Sequence, residues 1–315
     1  MDISVVIPVY NEEGNLPLLY ERLVQTLRPL TTSYELIFVN DGSTDRSLSL
    51  LKDLAKKDTS VKFIDFSKNF GHQLAAYAGL EHASGEAIVI IDADLQDPPE
   101  LIADLYRTLQ QGYDVVYAQR EQRKGESWHK LLTAKLFYRF INRLSDVEIP
   151  LDTGDYRIIS KKIKEIVVSM PEYNKFLRGQ IAWAGFKQTS ILYKRDERYA
   201  GATNYSYAKM FKFALDGITA FSNMPLRLAT YMGFVVSLVA FFAIIYTLFQ
   251  KYVNGTVVQG WSSLMVSILF IGGVQLICLG IIGEYLARIL DNVKKRPLYI
   301  VRESNVAELT SADVQ

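Results

Sequence analysis

Ala87-Ile88-Val89-Ile90-Ile91-Asp92-Ala93-Asp94-Leu95-Gln96-Asp97 is the stretch whose reading decides the fold. It begins as an apolar, β-branched run, the pattern of a strand buried on both faces of a parallel sheet. It ends in three acids, and Pro98-Pro99 then start a helix. Open α/β sheets bind ligands at the carboxyl ends of their strands, and Asp92 and Asp94 stand at such an end. Side chains at i and i+2 can project to one side. Hard carboxylate oxygens suit Mg²⁺ or Mn²⁺, ions commonly completed by substrate phosphates. An isolated Asp-x-Asp is an ordinary turn signal, so the motif draws its weight from its company.

Upstream, Ile3–Tyr10 reads as a first strand, and Asn11-Glu12-Glu13 opens a helix to about Leu27. No Gly-x-Gly-x-x-Gly follows that strand, which argues against hydride transfer with a dinucleotide. Tyr34–Val39 reads as a second strand, ending in the turn cluster Asn40-Asp41-Gly42-Ser43-Thr44-Asp45. Asp41 stands at the strand end. Asp45 fits a helix-start acid better. Val61–Phe66 is a third strand, and Asn69-Phe70-Gly71-His72-Gln73 opens a helix through Ala83. His72 reads as a helix-start hydrogen-bonder, since no second histidine stands at metal spacing.

Downstream, a helix is expected from Pro99 to about Gln111, then a fifth strand at Asp114–Ala118. This alternation predicts a mostly parallel sheet with right-handed crossovers. Trp128–Leu144 reads as a helix rich in aromatic and basic residues. Asp152–Arg157 leads into a short strand, a helix starts at Lys161, and Lys187–Tyr193 is another strand. Lys194–Asn204 is a charged, Gly-containing loop with the character of a lid. Tyr207–Phe221 carries apolar residues at helical spacing. That fits a helix in the membrane surface or a core-packed one, and its place before a membrane span favours the surface.

The 315 residues carry a net charge of +1, so no overall field points to nucleic acid. The single cysteine, Cys278, excludes an intramolecular disulfide and a two-cysteine metal site. Met1-Asp2 leads straight into a strand, so no cleavable signal peptide is expected. Leu228–Gln250 and Ser262–Gly283 contain no charged residue, and each matches the ~20 apolar residues of a membrane-spanning helix. Lysines and arginines flank the pair on both outer sides, while the loop between holds only Lys251. By the positive-inside rule both flanks are cytoplasmic. The expected organisation is a catalytic domain over 1–204, a juxtamembrane amphipathic helix over 205–227 and spans over 228–250 and 262–284. The spans are joined by an external loop, 251–261, and followed by a cytoplasmic tail, 285–315.

Taken together, Val6–Glu12, Asn40–Asp45, Ser67–Gln73, Asp92–Asp97 and Gly154-Asp155-Tyr156-Arg157 resemble the GT-A-fold, family 2 glycosyltransferases. The likeness is closest to the polyprenyl-phosphate hexosyltransferases, the dolichol-phosphate mannose synthase-like enzymes and bactoprenol glucosyltransferases. It runs through both apolar segments to Arg296-Pro297-Leu298-Tyr299. Asn40 departs from the aspartate of many relatives. Gln180-Ile181-Ala182-Trp183 lacks the arginine of the polymer-forming relatives' Gln-x-x-Arg-Trp, which argues for single sugar transfer.

The resemblance implies roles residue by residue. Pro8, Tyr10 and Glu12 line the nucleotide pocket, and Asp41 accepts from the base. Asp92 approaches the ribose or the metal, Asp94 binds Mg²⁺ or Mn²⁺, and Gln96 orients the sugar. Asp155 stands at the family's catalytic base. A phosphomonoester acceptor, with a second pKa near ~6, hardly needs a base, so Asp155 is expected mainly to orient acceptor or sugar. Arg120 and Arg198, then Arg123, Lys130 and Arg195, are candidates for the acceptor phosphate. The implied partners are a nucleotide sugar, a polyprenyl phosphate such as undecaprenyl phosphate, the bacterial plasma membrane and further copies of the chain; Gly272-Gly273 and Gly280 permit close helix approach. UDP-glucose is the favoured donor, with UDP-GlcNAc, GDP-mannose and UDP-aminoarabinose derivatives open. A non-catalytic membrane-anchored scaffold is the alternative. The tail Tyr299–Arg302 is expected to pair with a neighbouring subunit.

Overall fold

The computed structural model describes residues 1–121, 153–194, 224–253 and 260–306. The chain divides into two compact units. One comprises Met1–Asn142, Val147–Met210 and Arg296–Gln315; the other comprises Arg143–Asp146 and Phe211–Lys295.

The described part of the first unit is an α/β sandwich. Its strands are β1 (Ile3–Val9), β2 (Tyr34–Asn40), β3 (Val61–Phe66), β4 (Ala87–Ile90), β5 (Val115–Arg120), β6 (Thr153–Ser160), β7 (Gln188–Tyr193) and β8 (Val301–Ser304). Its helices are α1 (Leu16–Leu27), α2 (Ser47–Lys57), α3 (His72–His82), α4 (Ile102–Gln110), α5 (Lys161–Ser169) and α6 (Leu177–Trp183). The sheet order is β7-β5-β6-β4-β1-β2-β3-β8. β3, β2, β1 and β4 run parallel, and β6 and β8 run antiparallel to their neighbours.

The strand period of two divides each central strand between two cores. Val5, Ile7, Leu36, Phe38 and Val89 face α1, α2 and α4, joining Leu16, Leu19, Leu23, Leu51 and Leu105. Val6, Ile37, Val39, Ile88 and Ile90 face α3, α5 and α6, joining Ala75, Ala78, Ile163 and Ile181. Burial on both faces is why these strands read as continuous apolar runs. α3 lies so near β1 that a Cβ on Gly79 would stand 2.2 Å from Val6 Cγ1.

Two expectations change. α1 begins at Leu16, because Asn11 takes a left-handed conformation (φ 56°) and Pro17 sits in the first turn. The strand after Asp152, expected to be short, is β6, which inserts between β4 and β5, antiparallel to both. β6 is eight residues long, with Ile158 and Ile159 buried on opposite faces, so it has the character of a central strand. The tail forms a strand within its own chain: β8 lies antiparallel on β3. The expected helix Trp128–Leu144, all but the first residue of the loop Lys194–Asn204, and the helix Tyr207–Phe221 lie outside the described residues.

The described part of the second unit contains two helices, α7 (Met224–Tyr252) and α8 (Trp261–Lys294). They pack together, with Cys278 Sγ 3.7 Å from the Ala229 carbonyl. Both extend beyond the expected spans. Phe270–Lys294 is long and apolar enough to cross a membrane by length and composition; the apolar stretch of α7, Ala229–Ala243, is shorter. Two spanning helices are therefore not both met by that criterion. Phe234, Phe241, Phe249, Leu276 and Leu279 are all exposed, an arrangement that water does not favour.

Candidate active site

The site forms where β1, β2 and β4 end and β6 begins. After Ile90 the chain turns through Asp92–Asp97. Asp94 Oδ1 accepts the Gln96 N–H at 3.1 Å, and Leu95 adopts a left-handed conformation (φ 59°). Asp97 is fully buried and accepts a hydrogen bond from the Tyr193 hydroxyl. That hydroxyl also accepts from Arg120 Nε at 3.3 Å. The expected turn role is thus real for Asp94, whereas Asp97 is held by Tyr193 on β7.

Asp155, on β6, faces this turn. Its Oδ1 lies 2.7 Å from Arg178 Nε, and its Oδ2 lies 3.1 Å from His72 Nε2 and 3.2 Å from Gln73 Nε2. His72 Nε2 also lies 3.4 Å from Asp92 Oδ1. Gln73 Oε1 accepts the Leu177 N–H at 3.1 Å, joining the start of α6 to the start of α3. Beneath them Arg157 is almost wholly buried. It donates to the Asp155 and Gly154 carbonyls at 3.1 and 2.7 Å, and its guanidinium lies 5.1 Å from the Tyr117 ring centroid.

These contacts split the titration of neighbouring groups. Burial alone would raise the Asp155 carboxyl, but Arg178 and His72 hold it well below the ordinary carboxylate range. Burial raises Asp92, opposed by His72 and reinforced by Asp155, Asp97 and Asp94, to about 6. Burial would lower His72, but Asp92 and Asp155 push it up to about 9. His72 is therefore a cation at neutral pH, set between two carboxylates.

The two carboxylates suit a divalent ion, and His72 would join them as a ligand only on giving up its proton. Ligand atoms of His72, Asp92 and Asp155 all lie within 4.8 Å of one another. Asp92 Oδ1 is buried without a hydrogen bond. The acids around Asp92 leave negative charge that a cation would relieve. Asp94, the expected chief ligand, is buried two residues along the same turn, outside that trio.

The other expected residues take varied places. Pro8 is buried in β1, and Tyr10, just beyond it, is 49% exposed. Glu12 Oε2 accepts from Asn15 Nδ2 at 2.5 Å, and the Glu12 N–H donates to Ser47 Oγ at 3.0 Å. Asp41 is buried and accepts the N–H groups of Phe70 and Gly71 at 2.7 and 3.0 Å, tying two turns together. Burial, opposed by those amides, raises its carboxyl. Asn40 Nδ2 donates to Asp65 Oδ1 at 2.7 Å, its register neighbour on β3. An aspartate at position 40 would set two carboxylates face to face. Gln96 is half-buried in the acidic turn. Arg120 ends β5, and a Cβ on Gly154 would stand 2.8 Å from its Nη2. Arg123, Lys130, Arg195 and Arg198 lie outside the described residues.

Sequence reasoning missed Arg178 and underrated His72. The motif around His72 stood out in the sequence, but its two carboxylate neighbours are brought in by other strands. Arg178 carries no local signal, since α6 was not anticipated.

The family model described as glycosyl transferase family 2 matches residues 4–167, and the GtrB C-terminal hairpin matches residues 224–289. The chain is 49% identical to the uncharacterized glycosyltransferase YkcC of Bacillus subtilis, over 96% of this chain and 93% of that protein. It is 42% identical to the bactoprenol glucosyl transferase of Shigella phage SfII, over 97% of this chain and 99% of that protein. Among solved structures, that of S. aureus TarS 1-349 with UDP-GlcNAc aligns at 20% identity, covering 70% of this chain and 66% of that one, with a TM-score of 0.46.

Proposed function

We propose, from the premise that this chain belongs to glycosyl transferase family 2, that it transfers one hexose from a nucleotide sugar to a membrane polyprenyl phosphate. The observation that carries the reading is the acidic turn at the end of β4 facing an ion-paired Asp155. Support for the acceptor comes from bactoprenol glucosyl transferases matched along nearly their whole length. UDP-glucose is the favoured donor.

The acceptor phosphate, largely dianionic at neutral pH, attacks the sugar C1 with inversion. The C1–O bond to the nucleotide breaks, and the nucleoside diphosphate leaves with the bonding pair. Asp155 orients acceptor or sugar; its pairing with Arg178 makes it a weak base, because a carboxylate stabilised in its charged form gives up little by staying ionised. Asp92 and Asp94 would hold Mg²⁺ or Mn²⁺, with His72 beside them. Such an ion, when bound, neutralises charge on the departing diphosphate. Tyr10, Pro8, Glu12 and Asp41 form the nucleotide side, and an ionised Asp41 retains lone pairs for a base N–H. Gln96 faces the sugar. Arg120 attracts the acceptor phosphate, with Arg123, Lys130 and Arg198 as further cations.

The membrane part follows from the substrate. Withdrawing a polyprenyl chain from the bilayer costs ~0.8 kcal/mol per CH₂, so the enzyme works at the headgroups. In this reading 205–227 lies in the interface, 228–250 and 262–284 span a bacterial plasma membrane, 251–261 is external, and 1–204 and 285–315 are cytoplasmic. The chain acts as a homo-oligomer. Purified protein is incubated with undecaprenyl phosphate and a panel of nucleotide sugars, with and without EDTA, and the lipid product is weighed by mass spectrometry. The expected result is a single added hexose, abolished by EDTA and restored by Mg²⁺ or Mn²⁺. No product from any donor sinks the reading and leaves a binding scaffold.

A further inference from the structure

The segment that follows α8 is fastened to the turn that carries His72. Ser67 N–H donates to the Ile300 carbonyl at 2.9 Å. Arg302 Nη2 donates to the Phe66 carbonyl at 2.9 Å and the Ser67 carbonyl at 3.2 Å, and its Nε lies 3.3 Å from Asp65 Oδ2. The Tyr299 ring stacks on Phe66 with centroids 4.9 Å apart, and its hydroxyl donates to Glu81 at 2.6 Å. Asn305 exchanges bonds with Phe63 N–H and the Val61 carbonyl at 2.7 and 3.1 Å, and Val306 is buried in the α3-side core.

All these contacts fall on β3, on Phe66–Ser67 just beyond its bulge, or on α3. The same short path leads into the site. Phe66 meets Phe70 edge-on at 5.6 Å, Phe70 and Gly71 donate to Asp41, and His72 and Gln73 reach Asp155. Asp65 is fully buried and is shared by Asn40 and Arg302. A buried carboxylate needs such partners, so Arg302 is built into this end of the sheet.

We propose that Tyr299 and Arg302 are positioning residues for sugar transfer: the post-helix segment is a strap that holds residues 66–71 so that Asp41, His72 and Gln73 keep their places. The inference rests on the transferase reading for its kinetic arm only. Its structural arm is independent, because β8 completes the sheet whatever the chemistry.

The test uses the full-length protein in detergent, with Arg302→Ala, Arg302→Lys and Tyr299→Phe. Hydrogen exchange is followed by mass spectrometry over peptides covering 67–74 and, as a control, β1 and β2. Transfer to undecaprenyl phosphate is measured in parallel. Arg302→Ala is expected to speed exchange across 67–74, leave β1 and β2 unchanged, and lower kcat about tenfold, the scale of one mispositioned group. Arg302→Lys keeps the charge beside Asp65 but not the forked contact to two carbonyls, and is expected to fall between. Unchanged exchange across 67–74, or faster exchange with wild-type kcat, overturns the proposal. If Arg302→Ala does not fold, Tyr299→Phe, which removes one hydroxyl, decides by the same two readouts. If the wild-type protein itself transfers no sugar, the transferase reading falls and the exchange arm alone judges the strap.

Discussion

The two edges of one sheet handle buried acid in opposite ways. At the amino edge, Glu35 is fully buried and every neighbour stabilises its charge. Ser4 Oγ donates at 2.5 Å, the N–H and hydroxyl of Ser84 donate at 2.8 Å each, and Lys62 closes an ion pair. Burial would raise its carboxyl, but Lys62, Ser4 and Ser84 lower it below the ordinary value. At the carboxyl edge, Asp92 has an oxygen without a hydrogen bond and three acids, Asp155, Asp97 and Asp94, around it; burial and those acids raise its carboxyl to about 6 although His72 stands 3.4 Å away. One group is satisfied by the chain itself. The other is crowded by acids beyond what its one neighbouring imidazole offsets. Acids held in that second condition mark a functional site, whereas the first kind holds strands together.

The contrast breaks if the two kinds of acid respond alike to neutralisation. Asp94→Asn and Asp92→Asn are each expected to lower transfer by roughly 10²–10³-fold, the scale of losing one strong electrostatic contact to a developing charge. Asp94→Asn is expected to leave the melting temperature unchanged, because an asparagine oxygen can still accept the Gln96 N–H, whereas Asp92→Asn also takes one of two carboxylates from His72 and is expected to lower it slightly. Activity near wild type, or clear destabilisation by Asp94→Asn, would place these acids with Glu35.

Arg178→Ala sharpens the boundary between the two classes. It takes from Asp155 the cation 2.7 Å away. A loss of about 10–100-fold in kcat is expected, with partial recovery in Arg178→Lys, since lysine keeps charge but not the fork. A change confined to the melting curve would make Arg178 a structural partner only.

Glu35→Gln should do the reverse of the site substitutions. It leaves Lys62 unpaired at a mostly covered position and is expected to cost about 2 kcal/mol, below the value for a wholly buried pair because Lys62 reaches solvent. Transfer per folded molecule should stay as in wild type. Thermal melts paired with initial rates distinguish the outcomes.

The smallest effect is in the pH dependence. The folded-state carboxyl of Glu35 is lowered, so the unfolded chain takes up its proton first. Its stabilisation is complete above the ordinary glutamate pKa and is lost as pH falls through the lowered value. Melting temperatures taken from about pH 5 to about pH 3 should fall less steeply for Glu35→Gln than for wild type. Equal slopes would remove Glu35 from the acid response.

Much of this could be read along the chain. Each strand of the parallel core except β4 was bounded to within a residue or two by apolar runs, because burial on both faces keeps most positions apolar and the few polar ones, such as Ser4, Glu35 and Asp65, sit among them. β4 itself stops at Ile90, where the turn begins. The Asp92–Asp97 turn was legible because strand, acids and prolines are contiguous. The partners of Asp155 were not legible. His72 lies 83 residues away and Arg178 lies 23 residues away, on helices that approach β6 only after the sheet has formed.

The amino-acid sequence by itself determined the alternating α/β pattern, the acidic strand end and the two long apolar segments, because each is a local pattern of polarity and backbone preference. Tertiary structure alone decided that β6 separates β4 from β5, that the tail returns to β3, and that His72 and Arg178 flank Asp155. Those outcomes depend on which distant segments share a sheet edge, and burial energy summed over many contacts settles that choice without marking any one residue.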